Sequence, residues 1–115
     1  MQYFKTISEL ISSYKTLLYP GRIFYEYSQK DDYTKSQFWV LSSKELKNEE
    51  MIESKGGLIP ESLAPYNITS FIDVGTFQDI IEIKLENYPN WSVTVDTKVF
   101  IDAINHYLKT DDFMD

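Results

Sequence analysis

The main constraint on the fold is a set of three segments in which apolar residues recur at helical spacing. The first segment starts at Thr6, which has capping-box spacing to Glu9, and stops at Pro20 and Gly21. Because residues three and four positions apart lie on one side of a helix, an amphipathic helix is predicted here. Its apolar stripe consists of Ile7, Leu10, Ile11, Tyr14, Leu17 and Leu18.

The other two helical segments lie in the C-terminal half of the chain. One is predicted to start with Thr76 as its N-cap and to end before Pro89. The last is predicted to start at Asp96 or Thr97 and to run to about Lys109. Its predicted buried stripe consists of Phe100, Ala103, Ile104, Tyr107 and Leu108.

Segments rich in β-branched and aromatic residues are predicted to form strands. Residues 22–28 and 38–41 are expected to pair across the polar connection 29–37, and residues 91–95 are a candidate short strand. Residues 68–74 are a candidate third strand. The side chains expected on one side of that strand are Ile68, Ser70, Ile72 and Val74.

The middle of the chain has weaker signals. Residues 42–54 are highly charged, and both a short solvated helix and an irregular loop fit them, ended by Gly56 and Gly57. Two prolines in residues 58–66 rule out a long regular element there, but a single helical turn at residues 61–64 is compatible with them.

Together these segments predict one α+β domain covering residues 1–115. The helices do not alternate regularly with strands, which argues against a doubly wound parallel sheet. We therefore expect three amphipathic helices packed on a small, mainly antiparallel sheet.

The charge is unevenly distributed along the chain. The formal net charge is -7, and the whole excess of acidic side chains lies in residues 56–115, since residues 1–55 are neutral. An acidic chain lacks the basic footprint of a nucleic-acid binder, so no direct nucleic-acid binding is expected. A net charge of this size is also ordinary for a soluble small domain, so the charge alone does not decide between solubility and a charged partner.

Composition also bears on compartment and chemistry. The chain has no Cys, which excludes a disulfide framework or a zinc–thiolate site. Its first residues lack the pattern of a signal peptide, and no apolar run approaches the length of a membrane span, so a cytoplasmic protein without a membrane partner is expected.

The helix predicted after Thr76 carries an unusual outer face. Asp79, Glu82 and Glu86 lie opposite its apolar stripe, with Ile83 among them. An apolar residue surrounded by carboxylates is typical of an interface with a polar rim. The alternative is that another element of the fold covers Ile83.

No catalytic set emerges from the remaining polar residues. Asp102 and His106 are one helical turn apart, which fits an ordinary surface pair better than a general base, and no nucleophile motif accompanies them. Asp111 and Asp112 lack calcium-loop spacing. Among the many aromatic residues, Tyr33 in the polar connection is the best candidate for an exposed contact.

Two short stretches resemble a known kind of protein. The helix opening Thr76-Phe77-Gln78-Asp79-Ile80-Ile81 resembles small bacterial proteins of an uncharacterised-domain family. So does Ala103-Ile104-Asn105-His106-Tyr107-Leu108, followed by Asp111-Asp112-Phe113. In size, acidity and architecture the chain is similar to immunity proteins of contact-dependent growth inhibition and other polymorphic toxin systems. The resemblance covers residues 71–113 and implies a cytoplasmic binder of a cognate toxin domain, often a basic nuclease.

The predicted function is therefore an immunity protein that neutralises a cognate toxin domain by occlusion. We expect no enzymatic activity and no cofactor or metal, and a monomer or weak dimer. The alternatives are an acidic DNA mimic that inhibits a nucleic-acid enzyme, and a small ligand-binding domain. The predicted partner-binding residues are Asp79, Glu82, Ile83, Glu86, Asp111, Asp112 and Tyr33.

Overall fold

The computed structural model describes residues 1–26, 32–55 and 57–112 and has an α+β fold. The α-helices in these ranges are α1 Ile7–Ser12, α2 Ser43–Lys47, α3 Val74–Asn87 and α4 Thr97–Thr110. The strands are β1 Gln2–Phe4, β2 Gly21–Glu26, β3 Phe38–Ser42, β4 Met51–Ser54, β5 Gly57–Pro60 and β6 Ile68–Asp73. Short 3-10 turns occur at Tyr14–Thr16, Tyr33–Lys35 and Glu61–Leu63. The predicted class is confirmed, and α2 is an additional short helix.

The main sheet has four strands in the order β1-β3-β2-β6, and all neighbours are antiparallel. The predicted pairing of residues 22–28 with residues 38–41 is confirmed in the described part, with Phe24 opposite Trp39, and residues 27 and 28 lie outside the described residues. The strands β4 and β5 form a separate antiparallel hairpin. This hairpin and β1 were not predicted, because neither has a long apolar or alternating pattern.

The predicted side assignment along β6 is wrong. The register pairs Arg22 with Asp73 and Phe24 with Ser70, so two residues of β6 oppose one residue of β2. This extra residue is a β-bulge, which shifts the alternation of side chains by one position. As a result Ile68 and Ile72 belong to different clusters of the core.

The first helical segment is divided. The helix α1 ends at Ser12, and the 3-10 turn Tyr14–Thr16 continues the segment. The Ser12 hydroxyl donates to the Ser8 carbonyl oxygen at 2.8 Å, a local bond that competes with regular helix geometry. Tyr14 and Leu17 are nevertheless buried as predicted.

The start of α3 differs from the prediction, whereas α4 begins at Thr97 with Asp96 as its N-cap, as predicted. The N-cap of α3 is Asp73, whose carboxylate accepts from the Thr76 backbone N–H at 3.2 Å, so the predicted Thr76 cap is wrong. The Asp96 carboxylate accepts from the Ser92 N–H at 2.8 Å, which holds residues 91–95 in turns rather than a strand. At the end of α4, Leu108 is 44% exposed and not part of the buried stripe.

The core has two parts, one on each face of the main sheet. The helix-side core lies under α1, α3 and α4 and includes Ile23, Phe38, Val40, Phe77, Ile81, Phe100 and Ile104. The hairpin-side core consists of Phe24, Trp39, Leu41, Ile59, Leu63 and Ile68, with Leu46 and Ile52 packed against it. Neighbouring residues of β2 and β3 contribute to opposite cores, so both faces of these central strands are covered.

Candidate functional site

The helix α3 presents the predicted acidic stripe to solvent. The side chains of Asp79, Glu82 and Glu86 are exposed, as the helical wheel indicated. Among the residues that the structure describes, none of these three carboxylates has an ion-pair partner. Their negative charge is therefore available to an external group.

The sequence left open whether Ile83 is exposed among the carboxylates or covered by another element, and the structure places it between these two. Its side chain is half-buried, neither fully exposed nor fully covered. It lines a cleft of about 510 Å³ together with the three carboxylates, Tyr14, Lys15 and Leu85, which we call the acidic cleft. The cleft forms where the 3-10 turn Tyr14–Thr16 packs against α3.

Lys84 is a residue that the sequence interpretation missed. It is only 5% exposed, although it lies on a helix with an acidic outer face. Its Nζ lies 4.9 Å from the ring centroid of Tyr88 and 5.4 Å from that of Trp91. These rings stack on each other, with centroids 4.4 Å apart and planes at 17°. The spacing from Ile80 and Ile81 to Lys84, and on to Tyr88, could have indicated this position.

This aromatic stack attaches the segment after α3 to the helix itself. A cation over aromatic faces is attracted by their quadrupoles, and the attraction is stronger when the cation is shielded from water. Lys84 therefore adds no free positive charge to the acidic stripe. Its contacts with both rings hold Trp91 in a defined position relative to α3.

Asp111 and Asp112 lie apart from the acidic cleft, at the C-terminal end of α4. Both are exposed, and neither lines the acidic cleft. Asp111 has φ of 57°, a left-handed conformation that ends the helix, and its N–H donates to the Tyr107 carbonyl at 2.7 Å. Their predicted role as outer contributors to binding stays a prediction.

The prediction that Tyr33 is an exposed contact is wrong, because Tyr33 lies in the core. It is 7% exposed, its hydroxyl donates to Asn105 Oδ1 at 2.5 Å, and its ring centroid lies 4.8 Å from that of Phe71. Burial, with a smaller contribution from the Asp102 carboxylate, raises the pKa of the Tyr33 phenol. Tyr33 was predicted to be exposed because the residues around it are polar, but its side chain packs into the helix-side core.

The remaining candidates for chemistry are not assembled into a site. In the described part of the chain, no hydrogen bond or ion pair joins Asp102 to His106. Over residues 1–26, 32–55 and 57–112, no group of three metal-ligating side chains is gathered. None of the helices in these ranges has the length and apolar character needed to cross a membrane.

Comparison with known proteins returned no match among protein-family models, curated proteins or solved structures. The geometry of the molecule is thus the basis for any functional assignment. In the described residues, the acidic cleft of α3 combines exposed carboxylates with a half-buried apolar side chain.

Proposed function

We propose that this protein is a cytoplasmic immunity-type inhibitor that binds a basic toxin domain and blocks it by occlusion. The observation that carries the proposal is the acidic cleft, in which three exposed carboxylates surround the half-buried Ile83 and have no ion-pair partner among the described residues. Such an arrangement suits an interface with an apolar contact inside a charged rim. Inhibition by occlusion requires affinity and no catalytic group.

Electrostatics supports a basic partner in particular. The net charge of -7 raises the rate of encounter with a positively charged protein. Carboxylates at the point of contact then select the partner's orientation and disfavour acidic competitors. A nuclease domain that binds a polyanion would present such a basic surface, and the acidic cleft would occupy it in place of the nucleic acid.

The test is protection of a bacterial host that expresses the toxin domain. The gene beside this one is searched for a secreted protein with a variable C-terminal domain, and that domain is coexpressed with the chain and purified for titration. We expect growth to be restored and a tight complex to form. A host that is not protected, with no complex on titration, would refute the proposed function.

The site is tested by a matched pair of double charge reversals. Glu82→Lys with Glu86→Lys alters the acidic cleft, whereas Glu50→Lys with Glu53→Lys makes the same charge change at exposed positions outside it. We expect the first pair to weaken the complex by more than about tenfold and to flatten its salt dependence, because charge pairs at an interface couple strongly. Equal effects of the two pairs would show that only net charge matters.

The same purified proteins separate occlusion from DNA mimicry. Duplex DNA is added to the preformed complex, and the inhibitor is also tested against an unrelated DNA-binding enzyme. An inhibitor of one cognate domain leaves the unrelated enzyme active. General inhibition of DNA-binding enzymes would favour the DNA mimic.

A further inference from the structure

A second cleft adjoins the acidic cleft. It has a volume of about 540 Å³ and lies between the end of α1 and the segment that follows α3. Both clefts are lined by Tyr14, Lys15 and Leu85, so they meet along a shared wall. We call the second one the hydroxyl cleft, because its other lining residues include Ser12, Ser13, Thr16 and Ser92.

The hydroxyl groups of this cleft are largely occupied within the protein. Ser12 Oγ donates to the carbonyl oxygen of Ser8 at 2.8 Å, and Thr16 Oγ1 to that of Ser13 at 3.1 Å. Ser92 Oγ shares a hydrogen bond of 2.8 Å with the hydroxyl two residues further along the chain. A ligand therefore gains little from hydrogen bonds to these groups, and burying them beneath an apolar group leaves them paired.

The remaining surface of the hydroxyl cleft is apolar and held in place. Leu85, Trp91 and Val93 line it and are half-buried. The stack of Trp91 on Tyr88, with Lys84 over both rings, holds the indole in position. A preformed apolar cleft binds a side chain without the entropic cost of ordering its own walls.

We propose that the two clefts form one docking surface for a segment of a basic protein. That segment places a large apolar side chain, such as Trp, in the hydroxyl cleft and Arg or Lys side chains against Asp79, Glu82 and Glu86. The basic character of the partner rests on the function proposed above, whereas the paired clefts are features of this chain alone.

Charge complementarity identifies this occupant. Among the described residues, three carboxylates line the acidic cleft against one cation, Lys15, whose Nζ lies 5.9 Å from the Tyr14 ring centroid. An apolar anchor beside a cationic group matches both clefts at once, as in the hot spots of protein interfaces. A second copy of this chain, with the same net charge of -7, would be repelled.

The first experiment uses two blocked pentapeptides and the whole ¹⁵N-labelled protein. One peptide has a central Trp with two Arg on each side, and the other has Ala in place of Trp. We expect burial of the ring to make the Trp peptide bind about tenfold more tightly, which corresponds to about 1.4 kcal/mol. Its NMR shift changes should include the Trp91 indole N–H and the Val93 amide, whereas the Ala peptide should perturb only the acidic stripe.

A matched pair of variants localises the effect. Ser12→Trp fills the mouth of the hydroxyl cleft, whereas Ser8→Trp puts the same side chain at another exposed position of α1 that does not line the cleft. We expect Ser12→Trp to remove the advantage of the Trp peptide and Ser8→Trp to preserve it. An unchanged advantage in Ser12→Trp would overturn the inference.

Three other results would also overturn it. Equal affinity of the two peptides would exclude an apolar anchor. Equal binding by N-acetyltryptophanamide alone would indicate a small-molecule site, and shifts that depend on protein concentration without peptide would indicate self-association. Growth protection is scored separately: protection without a Trp preference removes the docking surface only, and a Trp preference without protection removes the immunity function only.

Discussion

The two faces of the main sheet are covered in different ways. On one face, α1, α3 and α4 bury the larger cluster, the helix-side core. On the other, the β4–β5 hairpin, α2 and the 3-10 turn Glu61–Leu63 enclose the smaller hairpin-side core. The helix side is covered by elements with long apolar stripes, whereas the hairpin side depends on a few apolar residues in charged, Pro- and Gly-containing segments.

Because the two faces are covered differently, we expect the helix side to be rigid and the hairpin side to be more easily deformed. The helix α3 packs against β2, β6, α4 and the turn Tyr14–Thr16 at once, so it has little freedom to adjust. The hairpin contacts the main sheet through β5, which lies against β6, and with fewer neighbouring elements we expect it to shift more easily. The acidic cleft lies on the constrained helix, where a binding surface keeps its geometry.

The largest effect is expected for Ile81→Ala in the helix-side core. Ile81 is 0% exposed and lies on the most constrained helix. Since its surroundings cannot collapse into the cavity, the free energy of unfolding should fall by about 4–5 kcal/mol, the upper part of the range for such changes. Urea denaturation measures it, and a loss below about 2 kcal/mol would mean that α3 relaxes as easily as the hairpin.

A smaller effect is expected for Ile59→Ala in the hairpin-side core, the same substitution at a site that is 1% exposed. The free energy of unfolding should fall by about 2–3 kcal/mol, because the hairpin can move to fill part of the cavity. Amide hydrogen exchange should accelerate in β4 and β5 but not in α3. If exchange accelerates equally in both regions, the two cores form one cooperative unit.

The smallest effect is expected for Tyr33→Phe, which removes a polar contact from the helix-side core. Loss of the bond to Asn105 should cost about 0.5–1.5 kcal/mol at pH 7. Because burial raises the pKa of Tyr33 above its ordinary value of 10.0, ionisation favours the unfolded state. The wild-type protein therefore keeps this contribution below about pH 10 and loses it at higher pH.

The pH dependence provides the check on that substitution. The difference in free energy of unfolding between wild type and Tyr33→Phe should be smaller at pH 11 than at pH 7, because Phe has no proton to release. Comparing the two proteins cancels the titration of the other tyrosines. A difference that grows with pH would contradict a buried, neutral phenol.

The helical segments were predictable because their signals are local. The stripe from Ile7 to Leu17 is buried, although the helix breaks at Ser13, since the 3-10 turn keeps Tyr14 directed towards the core. The exposure of Asp79, Glu82 and Glu86 followed from the helical period. The hairpin was missed because Met51–Ser54 and Gly57–Pro60 become strands by pairing with each other.

Sequence periodicity by itself determined the fold class, the buried side of α3 and the position of the acidic stripe, because each depends on neighbours within a few turns of one element. The tertiary structure decided the burial of Tyr33, the opposite sides of Ile68 and Ile72, and the cation–aromatic stack of Lys84. It also decided that Tyr14 and Lys15 meet α3 to form a cleft around Ile83. Such features arise from contacts between segments far apart in the chain, which local patterns do not encode.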